Sequence, residues 1–357
     1  MRVLNLASSI LRNRIGAVPR PSWCTYLVCY RCNARCQMCD SWRLKPGSEL
    51  TADQVDEVFA KVGRLDVIRL TGGEPFLRDD MPQVAQAVEK RSRPSVLHIT
   101  TNGSFPEKIN EFVRTFSSPA KLRFLVSFDG GPAEHDANRG AQVTFQTACE
   151  SVDRLVGLRE SHGIQVSVNH TVISRTSLRS HVELRARFAP QRVDVQSVLA
   201  YEDSSMYGLK RQGKKSTDLI VAAGYPLHPD LDLAESIDFA ERQLAEVDLI
   251  RDRWVRRGKR YYLRGLLARL RNAQNARPRP KCVALRSHLR ILPDGGVTVC
   301  QFNSERLGNL LTHSFDDLWN SQPTRDARAW VDACPGCWAE CEVMPSAIYS
   351  GDILLHG

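Results

Sequence analysis

The sequence predicts an α/β fold: a partial (β/α)6 TIM-type barrel followed by a small cysteine-rich C-terminal domain. Three observations carry this. Six apolar, β-rich runs alternate with helical patterns between residues 24 and 200, which is how a parallel sheet reads in sequence. Six such units in about 180 residues are too few for a closed eight-fold barrel, which takes ~250. Five of the eleven cysteines fall after Pro280, where the alternation has already stopped.

Each element has its own signal. Residues 3–15 place Val3, Leu4, Ala7, Ile10, Leu11 and Ile15 at helical spacing, with Arg12 and Arg14 between them. That is a short amphipathic helix, expected to pack on the bottom of the domain; lying on a membrane surface is the alternative. Pro19 and Pro21 end it. Strands are expected at 25–30, 66–71, 95–100, 122–128, 164–173 and 192–199. Thr51 and Gln54 form a capping box that opens the first helix between strands. Further helical patterns cover 80–92, 105–116, 142–161 and 177–188. Residues 202–230 read as a long irregular connection, 231–273 as basic helices, and Pro278 and Pro280 as a boundary. A hairpin follows at 289–301, where Pro293-Asp294-Gly295-Gly296 separates two apolar runs. Short helices at 315–320 and 324–332 lead to the last cysteines, and Met344 to Gly357 is expected to pack back on the barrel. The layout is therefore a helical segment (1–23), a barrel (24–200), a linker with basic helices (201–280) and a cysteine-rich domain (281–357).

Composition narrows the class. The chain has 357 residues, 42% hydrophobic and 25% charged, which excludes bulk disorder. No apolar run approaches the ~20 residues of a membrane span, and the first residues do not form a secretory signal. The expected compartment is the cytoplasm, where thiols stay reduced. Eleven cysteines there point to metal or redox chemistry rather than disulfides. Net charge is +9, but residues 251–290 hold 14 Lys/Arg and one acid, so the remainder is slightly acidic. Such a stretch suggests a phosphate-bearing partner or an anionic membrane surface, with a solvated helix face as the plain alternative.

Cys32, Cys36 and Cys39 follow the first strand. In a parallel barrel the C-terminal ends of the strands carry the chemistry. Three thiolates on one short loop can hold three corners of a cubane iron–sulfur cluster and leave one iron open. Zinc, which prefers paired Cys-x2-Cys units, fits the triplet poorly. With Thr71-Gly72-Gly73-Glu74-Pro75 after the second strand, the Cys-x3-Cys-x2-Cys loop resembles the radical S-adenosylmethionine (radical SAM) superfamily over residues 24–200. The resemblance implies that Gly72, Gly73 and Glu74 bind the amino group of S-adenosylmethionine. Glycines let backbone carbonyls approach closely, and a carboxylate can pair with an ammonium. Thr100-Thr101-Asn102-Gly103 ends the third strand and Ser127-Phe128-Asp129-Gly130-Gly131 the fourth, followed by His135, Asp136 and Arg139. The first is similar to the same stretch in many members of the superfamily, and implies that Asn102 contacts the cofactor; the second resembles the peptide-modifying branch, and implies that Ser127 and Arg139 hold the cofactor's carboxylate. The plain reading of Asn102 is a turn residue, and of His135 and Asp136 a loop hydrogen bond. Asn169 and Gln196 are polar in apolar runs and are expected near the lumen.

Cys282, Gly295 and Cys300 fit the Cys-x9–15-Gly-x4-Cys opening of the SPASM and twitch extensions of this superfamily, which hold auxiliary 4Fe–4S clusters. Cys334, Cys337 and Cys341 resemble the closing part, shortened. Five cysteines allow one auxiliary cluster. Cys282, Cys300, Cys334 and Cys337 match the twitch arrangement, with exchange of Cys341 for Cys334 left open. A structural zinc knuckle is the alternative for Cys334-Pro335-Gly336-Cys337. Cys24, Cys29 and Cys149 read as core.

The resemblance implies an enzyme in which a reduced 4Fe–4S cluster cleaves S-adenosylmethionine to a 5′-deoxyadenosyl radical that abstracts hydrogen from a substrate C–H bond. Peptide or protein modification is the expected reaction, with an electron donor such as flavodoxin or ferredoxin. A small-molecule, phosphorylated or lipid-precursor substrate is the alternative. A rival of another class is a non-catalytic zinc protein gripping nucleic acid, since Trp254, Tyr261 and Tyr262 interleave with charge in 251–271. The barrel motifs argue against nucleic acid.

Overall fold

The structure is a computed structural model that describes residues 3–356, apart from 19, 40, 45–46, 141, 202–224, 226 and 272–275. Helix α1 (Val3–Arg14) precedes six parallel strands: β1 (Trp23–Cys29), β2 (Val67–Gly72), β3 (Val96–Thr101), β4 (Leu122–Phe128), β5 (Gln165–Val172) and β6 (Asp194–Leu199). The strands pair in chain order, each with the next. Helices α2 (Ala52–Val62), α3 (Met81–Ser92), α4 (Pro106–Thr115), α5 (Pro132–Arg139), α6 (Phe145–His162), α7 (Arg175–Arg179) and α8 (His181–Phe188) fill the crossovers. The capping box at Thr51 and Gln54 forms in full. Burial in β2, β3 and β4 alternates. Ile68, Leu70, Leu97, Ile99 and Phe124 turn outward into the core beneath the helices, while Arg69, Thr71, His98 and Thr100 turn into the lumen.

The barrel is open, and the C-terminal hairpin extends its sheet. After α9 (Leu233–Ala245) and α10 (Arg253–Leu270), strand β7 (His288–Ile291) pairs in parallel with the free edge of β1, Trp23 opposite His288 and Tyr26 opposite Ile291. Strands β8 (Gly296–Thr298) and β9 (Arg306–Asn309) follow antiparallel. Among the described residues the sheet has nine strands in the order β6-β5-β4-β3-β2-β1-β7-β8-β9. The turn needs Gly295 at φ 84°, as its Asp-Gly sequence predicts. The hairpin thus covers an edge strand that would otherwise expose unpaired backbone. Helices α11 (Phe315–Trp319), α12 (Gln322–Ala333), α13 (Glu340–Tyr349) and α14 (Asp352–His356) complete the chain.

The gap between β6 and β7 is filled by α10 and α13. Lys259 of α10 donates to the Ser197 carbonyl of β6 at 2.7 Å, and Glu342 of α13 accepts from Arg290 of β7 at 2.6 Å.

Helix α1 packs on the barrel bottom, with polar residues in the contact. Asn13 donates to Ser287 Oγ at 2.7 Å and to the Tyr349 carbonyl at 3.0 Å. The apolar Leu11 and Ile15 are instead 60% and 69% exposed. The irregular connection expected at 202–230 lies mostly outside the described residues. No described helix is long and apolar enough to cross a membrane.

Candidate active site at the mouth and lumen of the barrel

Cys32, Cys36 and Cys39 lie on the loop that leaves β1 at its C-terminal end. Gly72 and Gly73 pin the start of this loop. Gly73 N donates to the Cys29 carbonyl and Glu74 N to the Arg31 carbonyl, both at 2.8 Å. Gly72 has φ 131°, and a Cβ there would stand 2.2 Å from the Cys29 oxygen. A Cβ on Gly73 would stand 1.9 Å from the Arg31 oxygen. Only glycine permits this approach. Cys29 is buried and its thiol donates to the Glu74 carbonyl at 3.3 Å, so it is a core thiol. Cys24 and Cys149 are buried too.

Glu74 is fully buried, and the chain itself satisfies its carboxylate. Thr101 Oγ1 and Asn102 N donate at 2.7 Å, and Phe76 N at 3.1 Å. Burial pushes its pKa up to about 7, against the pull of these donors. The side chain therefore ties the end of β2 to the end of β3. Asn102 extends the tie to the cysteine loop, donating to Asn33 Oδ1 at 2.9 Å.

Arg139 forms a bidentate ion pair with Asp129, both bonds 2.7 Å, in an interior that also holds Asn138 on Asp129. Its own carbonyl accepts Arg35 N at 2.9 Å, and Asn138 Oδ1 accepts Gln37 N at 2.9 Å. Helix α5 thus grips the cysteine loop from the other side. Ser127 stands at the top of β4 beside Asn169 of β5. His135 is buried between Phe128 and Phe145, with neither ring nitrogen bonded among the described residues. Burial brings its pKa down to about 3. Asp136 caps Phe145 N at 2.6 Å.

The donor chemistry fits a cluster. Cys32 Sγ accepts Ala34 N at 3.4 Å, a contact that favours a thiolate. Burial otherwise pushes the Cys32 thiol up to about 12, so binding must displace its proton. Among the described residues no three Cys, His, Asp or Glu side chains converge as they would on one metal ion.

The C-terminal cysteines divide in two. Cys300 Sγ accepts Asn303 N at 3.3 Å, and Cys334 Sγ accepts Gly336 N at 3.4 Å. Cys282 and Cys337 accept backbone N–H groups from Ala284 and Ala339. Cys341 does the reverse: its thiol donates to Gln301 Oε1, and it lines the lumen. The loop is anchored by Trp338, which is buried against Gly265 of α10. A Cβ on Gly265 would stand 1.9 Å from the indole. Trp338 Nε1 donates to the Tyr262 carbonyl at 2.9 Å, and Arg269 lies over the ring at 3.6 Å.

The lumen is a cavity of about 520 Å³ running from Met38 on the cysteine loop to Trp23 at the floor. Asn169 and Gln196 line it, as expected. Its charged groups are Arg69, Arg290, Lys259 and Glu340.

Residues 26–184 match the Radical SAM superfamily, and residues 282–341 match SPASM, an iron–sulfur cluster-binding domain. The chain belongs to the radical SAM superfamily. It is 30% identical over 156 residues to the GTP 3′,8-cyclase of Aquifex aeolicus, covering 40% of this chain and 45% of that protein. It is 33% identical over 154 residues to the pre-heme d1 synthase of Dinoroseobacter shibae, covering 40% and 34%. The matches thus span a third to about half of these relatives. The solved structure of anSMEcpe with bound AdoMet superposes with a TM-score of 0.59 at 15% identity, covering 86% of this chain and 82% of that one, which is a likeness of fold. This radical SAM chain is therefore an enzyme, and its two domains imply 4Fe–4S clusters and S-adenosylmethionine.

Several residues of the radical SAM site were invisible in sequence. Asp129 stood in a recognised stretch, but its role as the partner of Arg139 did not. Asn33, Asn138 and Glu342 look like ordinary loop or helix polar residues. Arg69 alternates with apolar residues in β2, and that strand periodicity was the signal that could have placed it in the lumen.

Proposed function

We propose that this radical SAM enzyme abstracts a hydrogen atom from a small polar molecule held in the barrel lumen. The observation that carries the reading is the cavity itself. It reaches from the cysteine loop to the floor, α10 and α13 wall its open side, and its volume suits a small ligand. The name of one relative, GTP 3′,8-cyclase, points to a small nucleotide, in line with this. One residue of a peptide would also fill such a volume, so the same experiment tests the peptide reading.

In this reading Cys32, Cys36 and Cys39 hold the cluster that binds S-adenosylmethionine, and Cys282, Cys300, Cys334 and Cys337 hold an auxiliary one. When bound, the first cluster and its cofactor supply one-electron cleavage to a carbon radical able to take hydrogen from a C–H bond. The chain's own residues do the rest. Gly72 and Gly73 bring backbone within reach of the cofactor, and Asn102, Ser127 and Arg139 border it. The ties through Glu74, Asn102 and Asp129 hold the cysteine loop still. The walled lumen keeps water from the reacting atoms.

The test is anaerobic reconstitution, then S-adenosylmethionine and dithionite, with 5′-deoxyadenosine measured by chromatography. The protein is expected to form it, and Cys36→Ala to form none. A low-molecular-weight cell fraction should raise the yield. Stimulation by a peptide fraction alone would replace the small molecule with a peptide. No 5′-deoxyadenosine from the reconstituted protein overturns the reading.

A further inference from the structure

One rung of the lumen crosses four strands. Strand register places Arg290 of β7 beside Thr25 of β1, Thr25 beside Arg69 of β2, and Arg69 beside His98 of β3. All four side chains line the cavity. The rung carries two guanidiniums, and their surroundings differ. Arg290 is held by Glu342 at 2.6 Å, and Glu342 also takes His288 at 3.2 Å. Lys259, higher on the α10 wall, donates to the Ser197 carbonyl at 2.7 Å and faces Glu340 at 3.6 Å. Arg69 has neither an ion-pair nor a hydrogen-bond partner among the described residues, and its Nε is shut from solvent without an acceptor. The Nδ1 of neighbouring His98 is also buried and unbonded.

Arg69 is only partly buried, but its shut-off Nε needs an acceptor to offset the loss of water. Among the described residues the acids near the rung are already committed: Glu342 to Arg290 and His288, Glu340 to Lys259. No acidic side chain of the described cavity is left for Arg69, whose guanidinium therefore stands ready for an acceptor brought by a ligand. The guanidinium fork is planar and matches a carboxylate or a phosphate with two parallel hydrogen bonds. Its height in the barrel is also set. Arg69 precedes Gly72 by three residues, which puts its Cα about 10 Å below the cofactor end of β2.

We propose that Arg69 anchors an anionic group of the substrate, a carboxylate or a phosphate, at the floor of the lumen. This rests on the lumen being the substrate site. The anion then holds the far end of the molecule, and the C–H bond to be attacked lies toward the cysteine loop. Thr25 and His98 flank the anchor and can complete its hydrogen bonds, since a neutral imidazole still has one donor. Burial, reinforced by Arg69 and Arg123, lowers the His98 pKa to about 3, so the ring is neutral at pH 7.

The test is calorimetry on the cluster-loaded protein with S-adenosylmethionine bound and no reductant, so that no turnover occurs. Inorganic phosphate and succinate are the probes, at ionic strength matched with chloride. One of them is expected to bind saturably, and Arg69→Gln to weaken it at least about tenfold. Arg69→Lys, which keeps the charge but loses the fork, is expected between the two. Binding of phosphate alone assigns a phosphoryl group, and of succinate alone a carboxylate. Binding of neither to the unsubstituted protein, or equal binding to Arg69→Gln, overturns the proposal. Iron content and near-ultraviolet circular dichroism show whether each variant is folded, and Arg69→Lys supplies the comparison if Arg69→Gln is not. Absence of 5′-deoxyadenosine in the reductive assay would instead fail the radical reading, and calorimetry does not depend on it.

Discussion

At Gly73 the backbone of β2 meets the backbone that feeds the cysteine loop, and the space holds a hydrogen atom but not a methyl group. Gly73→Ala forces the Arg31 carbonyl aside, a strain of about 1–3 kcal/mol by analogy with overpacked cores. The cysteine loop moves with it. Iron per chain after reconstitution should fall from about eight to about four, with the C-terminal cluster kept. The two kinds of C-terminal cysteine are separable by the same measurement. Cys337→Ala should lose about four irons and Cys341→Ala none, because Cys341 donates its proton to Gln301 while Cys337 accepts a backbone N–H. The cysteine spacing was legible in sequence because chelation by one short loop fixes it. The work of Glu74 and Arg139 was not. Whether a buried charge faces a ligand or the chain's own groups depends on partners 28 and 10 residues away, which spacing does not reveal. Glu342 gives a pH signature. Burial opposes its ionisation, but Arg290 and His288 hold its carboxyl down to about 2 against an ordinary 4.5. The unfolded chain therefore binds the extra proton between these values. Stability from this group is present above about pH 4.5 and is lost as pH falls toward 2, on the order of 3 kcal/mol. The urea midpoint of the metal-free protein should drop across that window, and drop less in Glu342→Gln.

Helix α10 shows how an element can be found in sequence and still be misjudged. Its basic composition suggested a solvated face or an anionic partner. Many of its arginines are indeed on the surface, yet Lys259 and Arg269 are buried. Lys259 reaches β6, and Arg269 covers the ring of Trp338. Charge counting cannot see this, because a long basic side chain can bury its stem and carry its head to a specific acceptor. In α1 the periodicity marks the helix, but the bottom of the barrel offers polar partners, so Asn13 turns inward and Leu11 outward. Strand positions were legible because a parallel strand is a short apolar run between punctuating residues. The notch at Gly265 leaves no room for a side chain beside the Trp338 indole. Gly265→Val would displace Trp338 and the adjoining Cys337. Thermal stability should fall by about 1–3 kcal/mol, and the C-terminal iron should become labile to chelator while the first cluster persists.

The domain boundary drawn at residue 281 is a boundary of motif rather than of structure. Strand β7 is hydrogen-bonded to β1 along four residue pairs, and Glu342 joins α13 to β7 through His288 and Arg290. One continuous sheet therefore joins the strand that leads into the first cysteine loop to the hairpin between Cys282 and the last cysteines. The sequence could not show this, because a parallel pair 265 residues apart, Trp23 with His288, leaves no local trace. A chain ending at residue 280 would keep the whole superfamily motif, residues 26–184. It would also expose the backbone edge of β1, a strand buried along nearly its whole length, and open the lumen where α13 stood. An uncovered apolar edge strand templates association. If the C-terminal part were an independent domain, the truncated chain would elute as a folded monomer and bind about four irons. The continuous sheet predicts that it elutes as aggregates on size exclusion and binds a hydrophobic dye. A monomer with native near-ultraviolet dichroism would show that the β1–β7 pairing is dispensable.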